Sequence, residues 1–270
     1  MKRIELFEFE DFNWLPSSIR TGATNLIMVL HRMVGTSEVL ANLLLHVKSK
    51  VDFNQIVDLG SGSGGPMLET IQKVNEKLSS NEQIRLLLTD LYPNAKKVNA
   101  INELNLPNVK YHPESLNALK LKEAPTGLKT MIASFHHMKP EVAQQILQKA
   151  EKNKQPILIY ELAQNNIPVL LWWLFLPISL LILIIMSLFM TPFVKPLKLQ
   201  QLFFTYLLPL IPLVYAWDGQ ASLMRTYTFK DIEELLGNRN NVDFVWEIAD
   251  AKKENGKKAG YYILGYPSKG

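Results

Sequence analysis

The 270-residue sequence is long enough for one elaborated domain with a sizeable core. It contains no cysteine, which excludes disulfides and thiolate metal sites and fits a reducing cytoplasm. Lys+Arg 29 against Asp+Glu 25 leaves a formal charge of +4, too mild to indicate nucleic acid, so Lys252-Lys253 and Lys257-Lys258 read as solvated surface. At the N-terminus Phe7, Phe9, Phe12, Trp14 and Leu15 are interleaved with Glu8, Glu10 and Asp11, the pattern of an irregular flap without the apolar core of a secretion signal. Ser17 or Ser18 then caps a helix running to position 34, and a second apolar-periodic stretch covers 37–47. His31 reads as a satisfied histidine on the surface of the first helix.

An apolar run next enters Ile56-Val57-Asp58-Leu59-Gly60-Ser61-Gly62-Ser63-Gly64-Gly65-Pro66. Glycines allow a tight reversal against which a ligand can lie, and Pro66 suits a first helical position. Amides at that helix start carry partial positive charge towards the ligand. The following strand, 84–89, ends in Asp90. The acid before G-x-G-x-G, together with an acid ending the second strand, resembles the class I S-adenosylmethionine-dependent methyltransferases. The resemblance runs from about residue 51 to the C-terminus and is interrupted by one large insertion.

It implies a Rossmann-like, mostly parallel seven-stranded α/β sheet with an antiparallel C-terminal hairpin, a helical N-terminal cap and S-adenosylmethionine as cofactor. It also implies a cofactor site built from Asp58, Gly60, Ser61, Gly62 and Gly64, with Asp90 on both ribose hydroxyls and Leu91 beside it. The loop 113–118 falls where the family contacts the adenine, which brings in Ser115, Leu116 and Asn117. Many relatives place an acid there; here Asn117 offers a carbonyl to the exocyclic amine, with Glu114 as the rival. N-terminal helices in this family close over cofactor and substrate. Arg20 is therefore either a partner of the cofactor carboxylate or a surface arginine on a docking helix.

The core alternates helices over 66–78, 94–105 and 141–152 with strands over 84–89, 109–111, 128–134 and 156–161, which argues for a parallel sheet. Ligands of open α/β sheets lie beyond the carboxyl ends of the strands. That places Ser134 against the cofactor, Phe135 against the substrate, and His136 or His137 as a base for a protonated acceptor. The structural alternative has one imidazole bonding a backbone carbonyl to hold the loop. No third ligand at a fitting spacing supports a metal.

No charged residue occurs from Ile167 to Val194, and after Lys195 and Lys198 a second uncharged stretch runs from Leu199 to Trp217. The first arm exceeds the roughly 20 residues needed to cross a bilayer. Pro168, Pro177 and Pro192 argue against one straight helix, and crossing places both lysines outside, against the positive-inside tendency. The expectation is a monotopic hairpin in one leaflet, with Trp172, Trp173, Tyr206 and Trp217 at the interface. The soluble alternative is an apolar lid or a dimer contact.

Beyond it, Asp218 and Arg225 form either the polar end of a substrate pocket or an ion pair anchoring the insertion. A helix over 228–236 and a hairpin of 242–249 with 259–265 complete the chain. The domains are expected as a cap over 1–50, core over 51–161, membrane-interacting insertion over 162–217 and core again over 218–270. The expected function is a membrane-associated methyltransferase with its catalytic domain on the cytoplasmic face and a small apolar or amphiphilic acceptor. Its alternatives are a small thiol acceptor giving a membrane-permeant product, or a cofactor-binding membrane protein without turnover. An NAD-dependent reductase is disfavoured by the glycine spacing and the hairpin.

Overall fold

The computed structural model describes residues 1–237 and 242–268. In chain order the elements are α1 (Ser17–Val34), α2 (Thr36–Lys50), β1 (Gln55–Leu59), α3 (Met67–Glu76), β2 (Arg85–Thr89), α4 (Ala95–Glu103) and β3 (Val109–Tyr111). Then come β4 (Leu128–Ile132), α5 (Pro140–Lys152), β5 (Ile157–Glu161), α6 (Val169–Met190), α7 (Leu199–Leu202), α8 (Leu210–Arg225), α9 (Phe229–Leu236), β6 (Phe244–Lys252) and β7 (Lys258–Pro267). The chain folds as two compact units, one of Met1–Val34 with Gln164–Thr228, the other of Gly35–Ala163 with Phe229–Gly270.

The second unit is built on a seven-stranded sheet of order β3-β2-β1-β4-β5-β7-β6. Strands β1 to β5 pair in parallel; β7 lies antiparallel to both β5 and β6. All of β5 and all but the first residue of β1 are buried, as strands covered on both faces must be, and so they read as continuous apolar runs. Strand order reverses beside β1, between β2 and β4, and this switch point opens a crevice at the carboxyl ends of those strands. Asn94 caps α4 by accepting from the amides of Lys96 and Lys97. The predicted α/β class, mostly parallel seven-stranded sheet and closing hairpin are all present.

The first unit is helical. One core joins Leu15, Leu26 and Val29 to Met190, Val194, Ile211 and Val214. A smaller one joins Trp172, Leu176 and Met224. Three expectations are corrected here. Pro177 lies inside α6 without ending it, because helix 169–190 continues through the proline and loses only one amide donor. Trp172 is not at an interface: it is 3 % exposed and donates its indole N–H to Gln220 at 2.9 Å, whereas Trp173 and Tyr206 are about half exposed. His31 is buried rather than on the helix surface.

Asp218 and Arg225 form no ion pair with each other. Helix α8 runs unbroken through Trp217 to Arg225, and Trp217, Asp218, Ser222 and Arg225 all bond the N-terminal segment, while Gln220 turns to Trp172. Asp218 accepts from the amides of Phe9 (2.7 Å) and Glu10 (3.2 Å), and Trp217 donates to the carbonyl of Phe7 at 2.9 Å. Arg225 pairs with Asp11 at 2.6 Å and with the buried Glu8 at 3.1 Å, while Ser222 donates to Glu8. Sequence distance hid these partners, which lie more than two hundred residues away.

Candidate active site

The glycine loop is left-handed at Gly60, Gly62 and Gly64, with φ of 72°, 53° and 88°. Only glycine adopts such a run without strain. A Cβ on Gly64 would press on Leu68 and Ile101 at 3.2–3.3 Å, whereas one on Gly62 would meet nothing within 4 Å. The loop is therefore packed at its root and open at its crest, as a backbone meant to lie against a ligand has to be.

Asp90 reaches the crest. Its Oδ2 accepts from the amide of Gly62 at 2.9 Å and its Oδ1 from the amide of Tyr92 at 2.8 Å. Tyr111, from β3, donates its hydroxyl to the Gly62 carbonyl at 3.0 Å. The next loop closes in the same place. Leu116 donates its amide to the Asp90 carbonyl at 2.9 Å, and Ser115 donates its hydroxyl to the carbonyl of Leu91 at 2.6 Å. Asn117 accepts from the Leu119 amide at 2.8 Å, so its carbonyl already holds a turn and has one lone pair left for a ligand. Glu114 is largely exposed, 3.9 Å from His112.

Asp58 stands deeper. It is 3 % exposed and accepts from Ser61 Oγ and from Thr130 Oγ1, each at 2.6 Å, which welds the glycine loop to β4. Burial pushes its carboxyl up to about 6, the two hydroxyl donors only partly offsetting this. Between pH 3.8 and about 6 the folded protein thus holds a proton here that the unfolded chain has released. The contribution of Asp58 to stability is present below the unfolded value and lost as pH rises through about 6. Chemical denaturation of the ligand-free protein should show wild type losing stability relative to Asp58→Asn between pH 5 and pH 7. Parallel curves would place the buried proton elsewhere.

At the end of β4, Ala133 adopts a left-handed φ of 51°, a strained conformation that turns the chain into Ser134–His137. Ser134 Oγ lies 3.5 Å from the Leu59 carbonyl, beside Gly60. Phe135 is fully buried. The His136 ring lies 4.3 Å from that of His137. The backbone amide (3.0 Å) and Nδ1 (2.9 Å) of His136 both reach the carboxylate of Glu161, which is 2 % exposed at the end of β5. Sequence reasoning missed Glu161. Its signal was available, because it is a third strand-terminal acid, after Asp58 and Asp90, in a sheet whose strand ends face one crevice. Arg20 belongs to the first unit, where it donates to the Phe12 carbonyl at 2.6 Å.

The sheet order and the glycine loop define an α/β fold whose antiparallel β7 separates it from the plain doubly wound type. Two solved structures share the architecture. The plantazolicin methyltransferase BpumL in complex with SAH is 12 % identical over 93 % of this chain and 98 % of that one, with a TM-score of 0.50. BpumL in complex with a monoazolic desmethylPZN analogue and SAH is 13 % identical over 93 % and 89 %, with a TM-score of 0.51. The chain has the α/β methyltransferase fold. No family model matches it, and neither does any curated protein.

Proposed function

We propose that this protein is an S-adenosylmethionine-dependent methyltransferase that associates with membranes and methylates a small apolar or amphiphilic acceptor. The observation that carries the reading is the Asp90 carboxylate bonded to the open crest of the glycine loop, at the switch point of a sheet closed by an antiparallel hairpin. BpumL, which has this fold, is complexed with SAH, the product of S-adenosylmethionine. Asp90 has lone pairs left for two ribose hydroxyls, Leu116 and Asn117 border the adenine, and Ser134 faces the glycine loop. The membrane component is supported by α6, long and apolar enough to cross a bilayer and mostly exposed.

Bound S-adenosylmethionine supplies an electrophilic sulfonium methyl. The chain's own residues align the acceptor and exclude water. If the acceptor arrives protonated, His136 takes the proton. Glu161 holds Nδ1 as the donor nitrogen, which puts the imidazole lone pair on Nε2. The acceptor's electron pair would then be free for the methyl that bound S-adenosylmethionine would supply.

Calorimetric titration of the detergent-solubilised protein with S-adenosylmethionine, SAH and NADH tests the reading. The first two should bind and the third should not. Binding of NADH alone would overturn it.

A further inference from the structure

The first unit is apolar on the outer face of α6 and, beside its apolar core, holds a buried polar patch between its helices. Along α6, Leu170, Leu174, Ile178, Leu181 and Phe189 are 83, 67, 56, 56 and 73 % exposed. Between the helices, Ser187, Thr191 and Thr205 are fully buried and Gln201 is 4 % exposed. These polar groups satisfy one another. Thr191 donates its hydroxyl to the Ser187 carbonyl at 2.9 Å and lies 3.4 Å from Thr205 Oγ1. Gln201 donates to the Gly22 carbonyl at 3.4 Å and accepts from Asn25 at 3.2 Å. Water drives the opposite arrangement, whereas hydrocarbon leaves helices to associate through small and polar contacts. A second copy of the chain would bury the exposed leucines but would not explain the buried polar patch; lipid accounts for both.

The depth of immersion follows from α1. At about 1.5 Å per residue, the 22 residues of α6 are long enough to cross, so length does not decide. Helix α1, however, packs through Leu26 and Val29 into one core with Met190 and Val194, at and just beyond the C-terminal end of α6. If α6 crossed, that end would lie at the far headgroups and α1 would be drawn through hydrocarbon with the exposed Arg32. The second arm is sharply bent. Leu199–Leu207 bends by 80° from Leu210–Arg225, and Tyr206 closes it onto α6 by donating to the Leu188 carbonyl at 2.7 Å.

We propose that the first unit is seated in one leaflet: the outer face of α6 and the 199–207 segment lie in lipid, α1 faces water, and Lys195 and Lys198 return to the headgroups on the same side. This rests on the membrane component of the function above and is independent of the chemistry. The absence of native cysteine makes it directly testable. Arg32→Cys, Lys198→Cys and Ile178→Cys, each in the full chain, are bound from outside to sealed phosphatidylcholine–phosphatidylglycerol vesicles. Each is then treated with a membrane-impermeant maleimide before and after detergent. Cysteines at 32 and 198 should label equally in intact and lysed vesicles, and the one at 178 only after lysis. Labelling at 198 that requires lysis, with 32 open, would mean that the hairpin crosses and would overturn the seating. Full labelling at 178 on protein that does not float with vesicles would overturn lipid contact itself, leaving cofactor binding untouched. Lys195→Cys replaces Lys198→Cys if that variant does not fold.

Discussion

Asp90→Ala should lower affinity for S-adenosylmethionine by about tenfold or more while the protein stays folded, because each hydrogen bond to a charged group contributes roughly 1.5–3 kcal/mol. The wild-type carboxylate has two tasks that the variant separates. It bonds the amides of Gly62 and Tyr92, and by our reading it accepts from the ribose. Asp90→Asn keeps one carbonyl acceptor and should fall between wild type and alanine. The fold should survive both, since Tyr111 still holds Gly62 and Leu116 still bonds the backbone of residue 90. Calorimetric affinity unchanged in Asp90→Ala would remove this residue from the site and with it the main support for the cofactor.

His136→Ala should lower turnover about a hundredfold with cofactor binding intact, the size of effect expected for losing a general base. Glu161→Gln gives the more informative result. It keeps the shape of the pair but removes the charge that fixes the imidazole tautomer, so the loss should be smaller and accompanied by a shifted pH–rate profile. A purely structural role for Glu161 would lower stability and leave the pH profile of the surviving enzyme where it was. His137→Ala, whose ring stacks on the first, should cost less than His136→Ala. Near-normal turnover in both histidine variants would mean that alignment alone drives the transfer.

What the sequence by itself determined was everything carried by local spacing. Glycines at 60, 62 and 64 specify a left-handed turn because no other residue adopts it freely, and the turn appears where they stand. Strand-length apolar runs alternating with amphipathic stretches fix a parallel sheet, because a run without polar positions must be covered on both faces. Twenty-eight uncharged residues from 167 to 194 identify an insertion unlike the rest of the chain. Only the tertiary structure decided which distant groups meet. Asp58 looks like a ligand residue but is buried between Ser61 and Thr130; Glu161 looks like a strand end but holds His136. Asp218 and Arg225 are seven positions apart in one helix and bond the N-terminal segment rather than each other. A partner two hundred residues away leaves no periodicity in the chain; it is selected only when packing brings a buried charge and a complementary group within about 3 Å, where the cost of leaving either unpaired fixes the choice.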